Sequence, residues 1–275
     1  MVEHVIAHCT VTPVRQEPSE GSEQLTQLLF GEVCEVLDRL PRWTKIRSTL
    51  DGQEGWVDFK MVSPTSNLSS LTSNLDAVVV APMVAATPMD GGADLLLTLG
   101  TRLPNYSHGT FEVLGQQYLI DPTCVNITTA QRSTGEADLQ QSDLQRSDLI
   151  TIAQSLLNSP YLWGGKNLMG IDCSGFTQVV YAAMGVNLLR NAREQITQGE
   201  VVPSLVEAMP GDLVFFDHAD RDPKATNISH VGMLFSPTEV IHCSGCVHVD
   251  AIDQEGIHLA NGELTHHLVK IKRYL

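Results

Sequence analysis

Positive charge is scarce in this chain. Lys and Arg number 17 against 32 Asp and Glu, a formal net charge of −15 over 275 residues. Neither half carries a basic excess, so phosphate backbones and anionic lipid surfaces are repelled, and neither nucleic acid nor a membrane is expected as a partner. Long apolar runs are also missing. The longest, around residues 77–86, is broken by Pro82, and the opening residues lack the basic segment and long apolar segment of a secretory signal. The sequence therefore predicts a soluble cytoplasmic protein, or an extracytoplasmic one if a leader has been removed. Cysteine is sparse as well. Cys9, Cys34, Cys124, Cys173, Cys243 and Cys246 are too scattered for a disulfide framework. Free thiols are expected, with only Cys243 and Cys246 near enough to pair. What the chain does have is 43% hydrophobic residues, enough for several cores and incompatible with intrinsic disorder.

Residues 1–64 read as short strands with turn signals: a run over 5–11, then 33–37, 44–47 and 51–57, the last opening on Asp51-Gly52, a hairpin signal. A stretch rich in Ser, Thr and Asn over 63–74 reads as a linker. A faint echo follows. Residues 77–82 resemble 5–13, Gly100-Thr101-Arg102-Leu103 resembles Gly31-Glu32-Val33-Cys34, and 114–120 resembles 51–57, which predicts a second β-barrel over 75–140. Near residue 142 the period changes. Leu149, Ile152, Ala153, Leu156 and Leu157 mark one face of a helix over 147–159 that stops before Pro160. A further helix is predicted over 173–184, closed by Gly185, with strands at 212–216, 230–235, 239–243 and 268–274. The expected class is α+β, with domains at 1–64, 75–140 and 141–275.

The strongest chemical signal is Ile171-Asp172-Cys173-Ser174-Gly175-Phe176, which places Cys173 in the first turn of a helix, where free N–H groups and the helix dipole favour a thiolate. His230 and His242 fall on consecutive short strands, which brings them to the same end of a hairpin. A nucleophilic cysteine needs an imidazole as proton partner, and that imidazole needs a polar group to hold its ring, so Cys173, His230 and His242 make a complete relay. Zinc is the runner-up chemistry: His242, Cys243, Cys246 and His248 are all of ligand type. A strand sends His242 and Cys243 to opposite faces, however, and no metal or other cofactor is expected.

Tyr161-Leu162-Trp163-Gly164-Gly165, Asp172-Cys173-Ser174-Gly175-Phe176, Leu189-Arg190, Pro210-Gly211-Asp212, His230-Val231-Gly232 and Ile241-His242-Cys243-Ser244-Gly245 resemble, in order and spacing, the motifs of the NlpC-type cell-wall cysteine peptidases. The Gly-rich strands of 1–64 and 75–140 resemble bacterial SH3 domains, and that arrangement resembles the γ-D-glutamyl-L-diamino acid endopeptidases. The resemblance implies two SH3-like barrels followed by a papain-like α+β peptidase domain. It implies that Cys173 is the nucleophile, His230 the general base and acid, and His242 the residue orienting it, with Tyr161 lining an oxyanion hole. It further implies that Asp172 and Ser174 bind the free amine of a terminal L-Ala in a short murein peptide, with the barrels as walls that exclude polymeric substrate. From the residues alone, Asp172 could instead simply cap its helix. Two departures bear on specificity. Arg190-Asn191-Ala192 lacks the family's usual aspartate after the arginine, and Asp51-Gly52-Gln53-Glu54-Gly55-Trp56 has Gln53 where a tyrosine is common, ahead of Trp56. The other readings are an amidase or acyltransferase on the same scaffold, and an inactive peptide-binding SH3-like protein. The sequence leaves the oligomeric state open.

Overall fold

The computed structural model describes residues 2–65, 77–128, 137–218 and 227–275, with side chains from 145 onward in the first helix. The predicted linker beyond residue 65 lies outside the described residues. The chain divides into two compact units, one formed by 1–129 with the segments 163–168 and 182–187, the other by the remainder.

In the first unit, β1 (His4–Ala7), β2 (Val11–Arg15), β3 (Gln24–Leu29), β4 (Val33–Arg39), β5 (Trp43–Ser48), β6 (Glu54–Asp58) and β7 (Val62–Thr65) form one antiparallel sheet in the order β3-β2-β6-β5-β4-β1-β7. The single strand expected over 5–11 is thus two, split by a turn. Alternation explains the packing: Val5, Ala7, Val14, Leu28, Ile46 and Val57 face one interior cluster. The Asp51-Gly52 hairpin joins β5 to β6, with Gly52 at φ +74°.

Residues 77–127 hold β8 (Ala77–Val79), β9 (Met83–Pro88), β10 (Leu95–Thr98), β11 (Thr110–Val113), β12 (Gln116–Ile120) and β13 (Val125–Ile127). They form a four-stranded sheet, β10-β9-β12-β11, and a separate β8-β13 pair. Several details repeat the first sheet. Gly31 and Gly100 both take positive φ, and each donates its N–H to the last residue of a first strand, Ala7 O at 2.8 Å and Val79 O at 3.0 Å. Asp58 and Asp121 each cap a short 3-10 turn that leads into a strand pairing with that first strand, β7 with β1 and β13 with β8. A counterpart to β4 is reduced to one bridge at Arg102, followed by Pro104, which has no N–H to donate. Ile6, Phe30 and Val33 share one core with Val79, Leu97, Phe111 and Ile120. The short strand β14 (Lys166–Asn167) completes this unit, with Lys166 Nζ paired to buried Glu32 at 3.0 Å.

The second unit contains α1 (Ala137–Gln154), β15 (Gly170–Ile171), α2 (Cys173–Ala182), α3 (Ala192–Gln195), β16 (Glu200–Val202), β17 (Leu213–His218), β18 (His230–Ser236), β19 (Glu239–Ser244), β20 (Cys246–Ile252), β21 (Gly256–His258) and β22 (Leu264–Arg273). The first helix begins earlier and ends earlier than its apolar period suggests: residues 155–158 are turns and Leu157 is exposed, while Leu149, Ala153 and Leu156 are buried. The sheet runs β16-β22-β17-β18-β19-β20-β21, and β21 also pairs with β22, so six strands close into a ring. Val214, Phe216, Leu234, Val240, Ile252 and Ile271 form its core. Buried Asp212 ties the ring to α1 and the C-terminus by accepting from Arg146 at 3.4 Å and Arg273 at 2.7 Å.

Candidate active site

Cys173 is the first residue of α2 and is buried. The backbone N–H of Val231, the residue after His230, points at its sulfur, which sets the thiol beside the first histidine strand. The N–H of Ser174 adds a second donor there. Burial nonetheless dominates, with the charge of Asp172 next, and together they push the thiol up to about 12. Burial thus opposes the thiolate that the helix terminus favours. One turn of N–H groups does not offset the loss of solvent around the sulfur.

In the ladder between β18 and β19, His242 lies opposite Gly232, so His230 is its diagonal neighbour on the same face. His230 Nε2 and His242 Nδ1 are 2.8 Å apart. The next strand extends the chain. His242 is directly opposite His248 across β19 and β20, and Val240 is opposite Asp250, which brings Asp250 diagonally beneath His242. His242 Nε2 lies 3.1 Å from Asp250 Oδ2, and His248 Nε2 lies 3.0 Å from the same oxygen. A carboxylate can only accept, so His242 carries its proton on Nε2 and offers a lone pair at Nδ1. That lone pair accepts from His230 Nε2–H, which leaves the lone pair of His230 on Nδ1. The hydrogen bond from His242 holds Asp250 below the usual carboxylate range despite partial burial.

Burial, and then the neighbouring imidazoles His242 and His266, hold His230 well below an ordinary histidine. His266 on β22 lies against it, ring centroids 4.7 Å apart, and burial brings His266 down to about 4. Sequence reasoning missed both Asp250 and His266. The alternation Cys246, His248, Asp250 along one strand was a usable signal for the first; nothing in the sequence marked His266.

Asp172 both caps α2 and forms an ion pair. Its Oδ1 accepts from the N–H of Gly175 at 2.6 Å, and its two oxygens accept from Arg190 at 3.0 and 2.7 Å. Arg190 also donates to Ser174 Oγ at 2.9 Å, so Asp172, Ser174 and Arg190 form one buried network beside Cys173. Tyr161 is partly exposed, and its phenol is pushed up by burial and then by the nearby Cys173 and Asp172. Asn191 instead caps α3, its backbone N–H and side-chain amide both donating to Glu194, while Ala192 is buried. Gln53 and Trp56 belong to the first unit, Gln53 at the turn before β6 and Trp56 on it, opposite Lys45. Cys243 turns away from His242 and donates to Ile171 O at 3.2 Å. Among the described residues, no helix is long and apolar enough to cross a membrane.

Comparison with known proteins agrees with this geometry. Residues 158–268 match the NlpC/P60 family and residues 10–63 the bacterial SH3 domain. The chain is 28% identical over 231 residues to the gamma-D-glutamyl-L-lysine dipeptidyl-peptidase of Bacillus cereus, covering 79% of this chain and 66% of that protein. It is also 28% identical over 229 residues to the protein of the same name from Bacillus subtilis, 71% of which is covered. It thus spans about two thirds of the length of these relatives. A crystal structure of an NlpC/P60 family protein from Bacillus cereus shares the fold with a TM-score of 0.78 at 21% identity, over 99% of both chains. The chain therefore carries an NlpC/P60 cysteine-peptidase domain preceded by a bacterial SH3 domain.

Proposed function

We propose that this protein is a cysteine peptidase that hydrolyses the bond between γ-D-glutamate and a diamino acid in short murein peptides with a free N-terminal L-Ala. The observation that carries the reading is the 2.8 Å bond between His230 Nε2 and His242 Nδ1, which leaves the lone pair of His230 on Nδ1, one residue before Val231, whose backbone N–H turns to Cys173. Burial disfavours charge on both the Cys173 thiol and the His230 imidazole, so proton transfer from Cys173 to His230 is assigned to the attack on the carbonyl carbon. The sulfur then forms a thioester, and His230 returns the proton to the leaving amine. Water, deprotonated by the same nitrogen, releases the acyl group. The N–H groups at the start of α2 and the phenol of Tyr161 are assigned to the oxyanion.

Asp172 and Ser174 are assigned to the substrate amine. The Arg190 bonds support this in an indirect way, because they fix the carboxylate and hydroxyl before substrate arrives. A part for Gln53 and Trp56 in selecting substrate rests on the resemblance alone. Residues 77–127 are assigned as a second, reduced SH3-like barrel, supported by the repeated glycine and aspartate turns. Small murein peptides are the expected partner. Mass-spectrometric product analysis with L-Ala-γ-D-Glu-L-Lys and its N-acetylated form tests the reading. Cleavage of the free peptide only, abolished in Cys173→Ala, is expected; equal cleavage of both forms removes the amine-binding assignment, and cleavage by Cys173→Ala removes the nucleophile.

A further inference from the structure

We propose that His242, His248 and Asp250 form a binding site for a divalent transition metal of the zinc class, and that the metal switches the relay off by reversing its tautomers. The inhibitory half rests on the peptidase reading above; the binding half does not.

The geometry starts from His248. Its Nδ1 lies 2.8 Å from the carbonyl oxygen of Cys246, a pure acceptor, so Nδ1 carries a proton and donates. In the neutral ring the lone pair is then on Nε2, which faces the carboxylate of Asp250 at 3.0 Å. Two acceptors turned toward each other are satisfied by a proton on Nε2 or by a metal cation bound between them. His242 Nε2 approaches the same oxygen at 3.1 Å, and the three ligand atoms all lie within 4.8 Å of one another. Two ligand atoms bound tetrahedrally to zinc at its usual nitrogen and oxygen distances stand about 3.3 Å apart, so small rotations suffice. The fit has a backbone cause. His242 and His248 are a directly opposed cross-strand pair, and Asp250 lies two residues along β20 on the same face. Access comes from outside, since the His248 side chain is 33% exposed and Asp250 19% exposed, while His242 is 1% exposed. Two imidazoles and a carboxylate suit zinc and leave room for water as the fourth ligand.

The effect on the relay follows from proton positions. A metal takes the Nε2 lone pair of His242, so the proton held there moves to Nδ1. Nδ1 then donates to His230 Nε2, and the proton previously on His230 Nε2 is carried on Nδ1 instead. No proton is gained or lost across the two rings, but His230 now carries N–H, not a lone pair, at Nδ1, the nitrogen assigned as base. The base has been removed without any ligand touching the nucleophile.

Titration calorimetry with Zn2+ on the full chain separates this from zinc capture by the Cys173 and His230 pair. The expected result is one site in the wild type and in Cys173→Ala, weakened at least about tenfold in His248→Phe, which keeps a ring against His242. His248→Gln serves as the second variant if the first fails to fold. In peptide hydrolysis, His248→Phe is expected to need at least tenfold more Zn2+ for half inhibition, measured against its own metal-free rate. Binding lost in Cys173→Ala and retained in either His248 variant overturns the site. Binding that follows His248 without any loss of rate overturns the tautomer switch alone. Should no peptide be cleaved under any condition, the peptidase reading fails and calorimetry still decides the metal site.

Discussion

At the scale of single residues, the proposed relay depends on Asp250, whose Oδ2 lies 3.1 Å from His242 Nε2. Asp250 sets the tautomer of His242, and through it that of His230. Asp250→Asn can present an amide N–H to His242 Nε2, which moves the His242 proton to Nδ1 and deprives His230 of its acceptor. A fall in kcat on the order of 10²-fold with KM little changed is expected, since the comparable change in a serine protease triad costs about 10⁴; an unchanged kcat would remove Asp250 from the relay. His266 gives a separate expectation. Its pKa falls from an unfolded value near 6.5 to about 4 in the fold. Between those values the unfolded chain binds a proton that the folded chain does not, so stability rises with pH across that window and is lost as pH falls through it. The full span is worth about 3 kcal/mol. His266→Phe should flatten the dependence of Tm on pH between about 4 and 6.5, and an unaltered slope contradicts this. Cys173, His230 and His242 stand out in the sequence as a proposed relay because each needs the others for its chemistry, and the structure brings the two histidines to 2.8 Å. His266 was not, because its position follows from where β22 lands beside β17, with His218 opposite it.

At the scale of elements, the site is two strands approaching closely and one helix terminus held by a charge pair. Gly232 has an ordinary backbone conformation, so its requirement is space: a Cβ there would lie 2.6 Å from Val240 Cγ2 and 3.1 Å from His242 Cβ. Gly232→Ala must push β19 away or rotate His242, and either one lengthens the bond to His230. Overpacking of this kind costs about 1–3 kcal/mol. Activity is the more sensitive readout, with kcat expected to fall about tenfold because a misplacement near 1 Å at a reacting group can cost more than that. Comparing kcat with Tm decides the matter, and a lowered Tm with full activity would mean the strands adjust without moving the histidine. The helix terminus makes the same point about legibility. Capping and substrate binding competed as explanations of Asp172 in the sequence, and its two oxygens allow it to cap Gly175 while pairing with Arg190. Arg190 was visible as a motif residue, but its burial at 1% exposure was not, since nothing local marks an arginine for the interior. The extra strands β16 and β21 were also missed, each being only three residues long, while the alternation of β20 was there to be read.

At the scale of the molecule, the sequence distinguished a β-rich first portion from a catalytic second one through the change of period and the ordered motifs. It could not tell whether the two β-regions of the first unit stand apart, because a pattern of buried positions says nothing about which distant residue each one meets. Phe30 answers this. It follows β3 directly, yet its ring packs edge-on against Phe111 on β11 at 6.5 Å and Tyr118 on β12 at 5.9 Å, and those two rings stack at 5.1 Å. With Ile6 and Val33 in the same cluster, residues 1–65 and 77–127 share apolar surface that neither buries alone. Deleting the Phe30 ring removes buried area and leaves a cavity lined from both sides, at a cost of about 3–5 kcal/mol. If the two regions unfold as one cooperative unit, Phe30→Ala accelerates amide hydrogen exchange in β8–β13 as much as in β1–β7. Exchange that quickens only in β1–β7, with β8–β13 as protected as in the wild type, would mean that the second region holds its core without the first and that the shared aromatic cluster couples nothing.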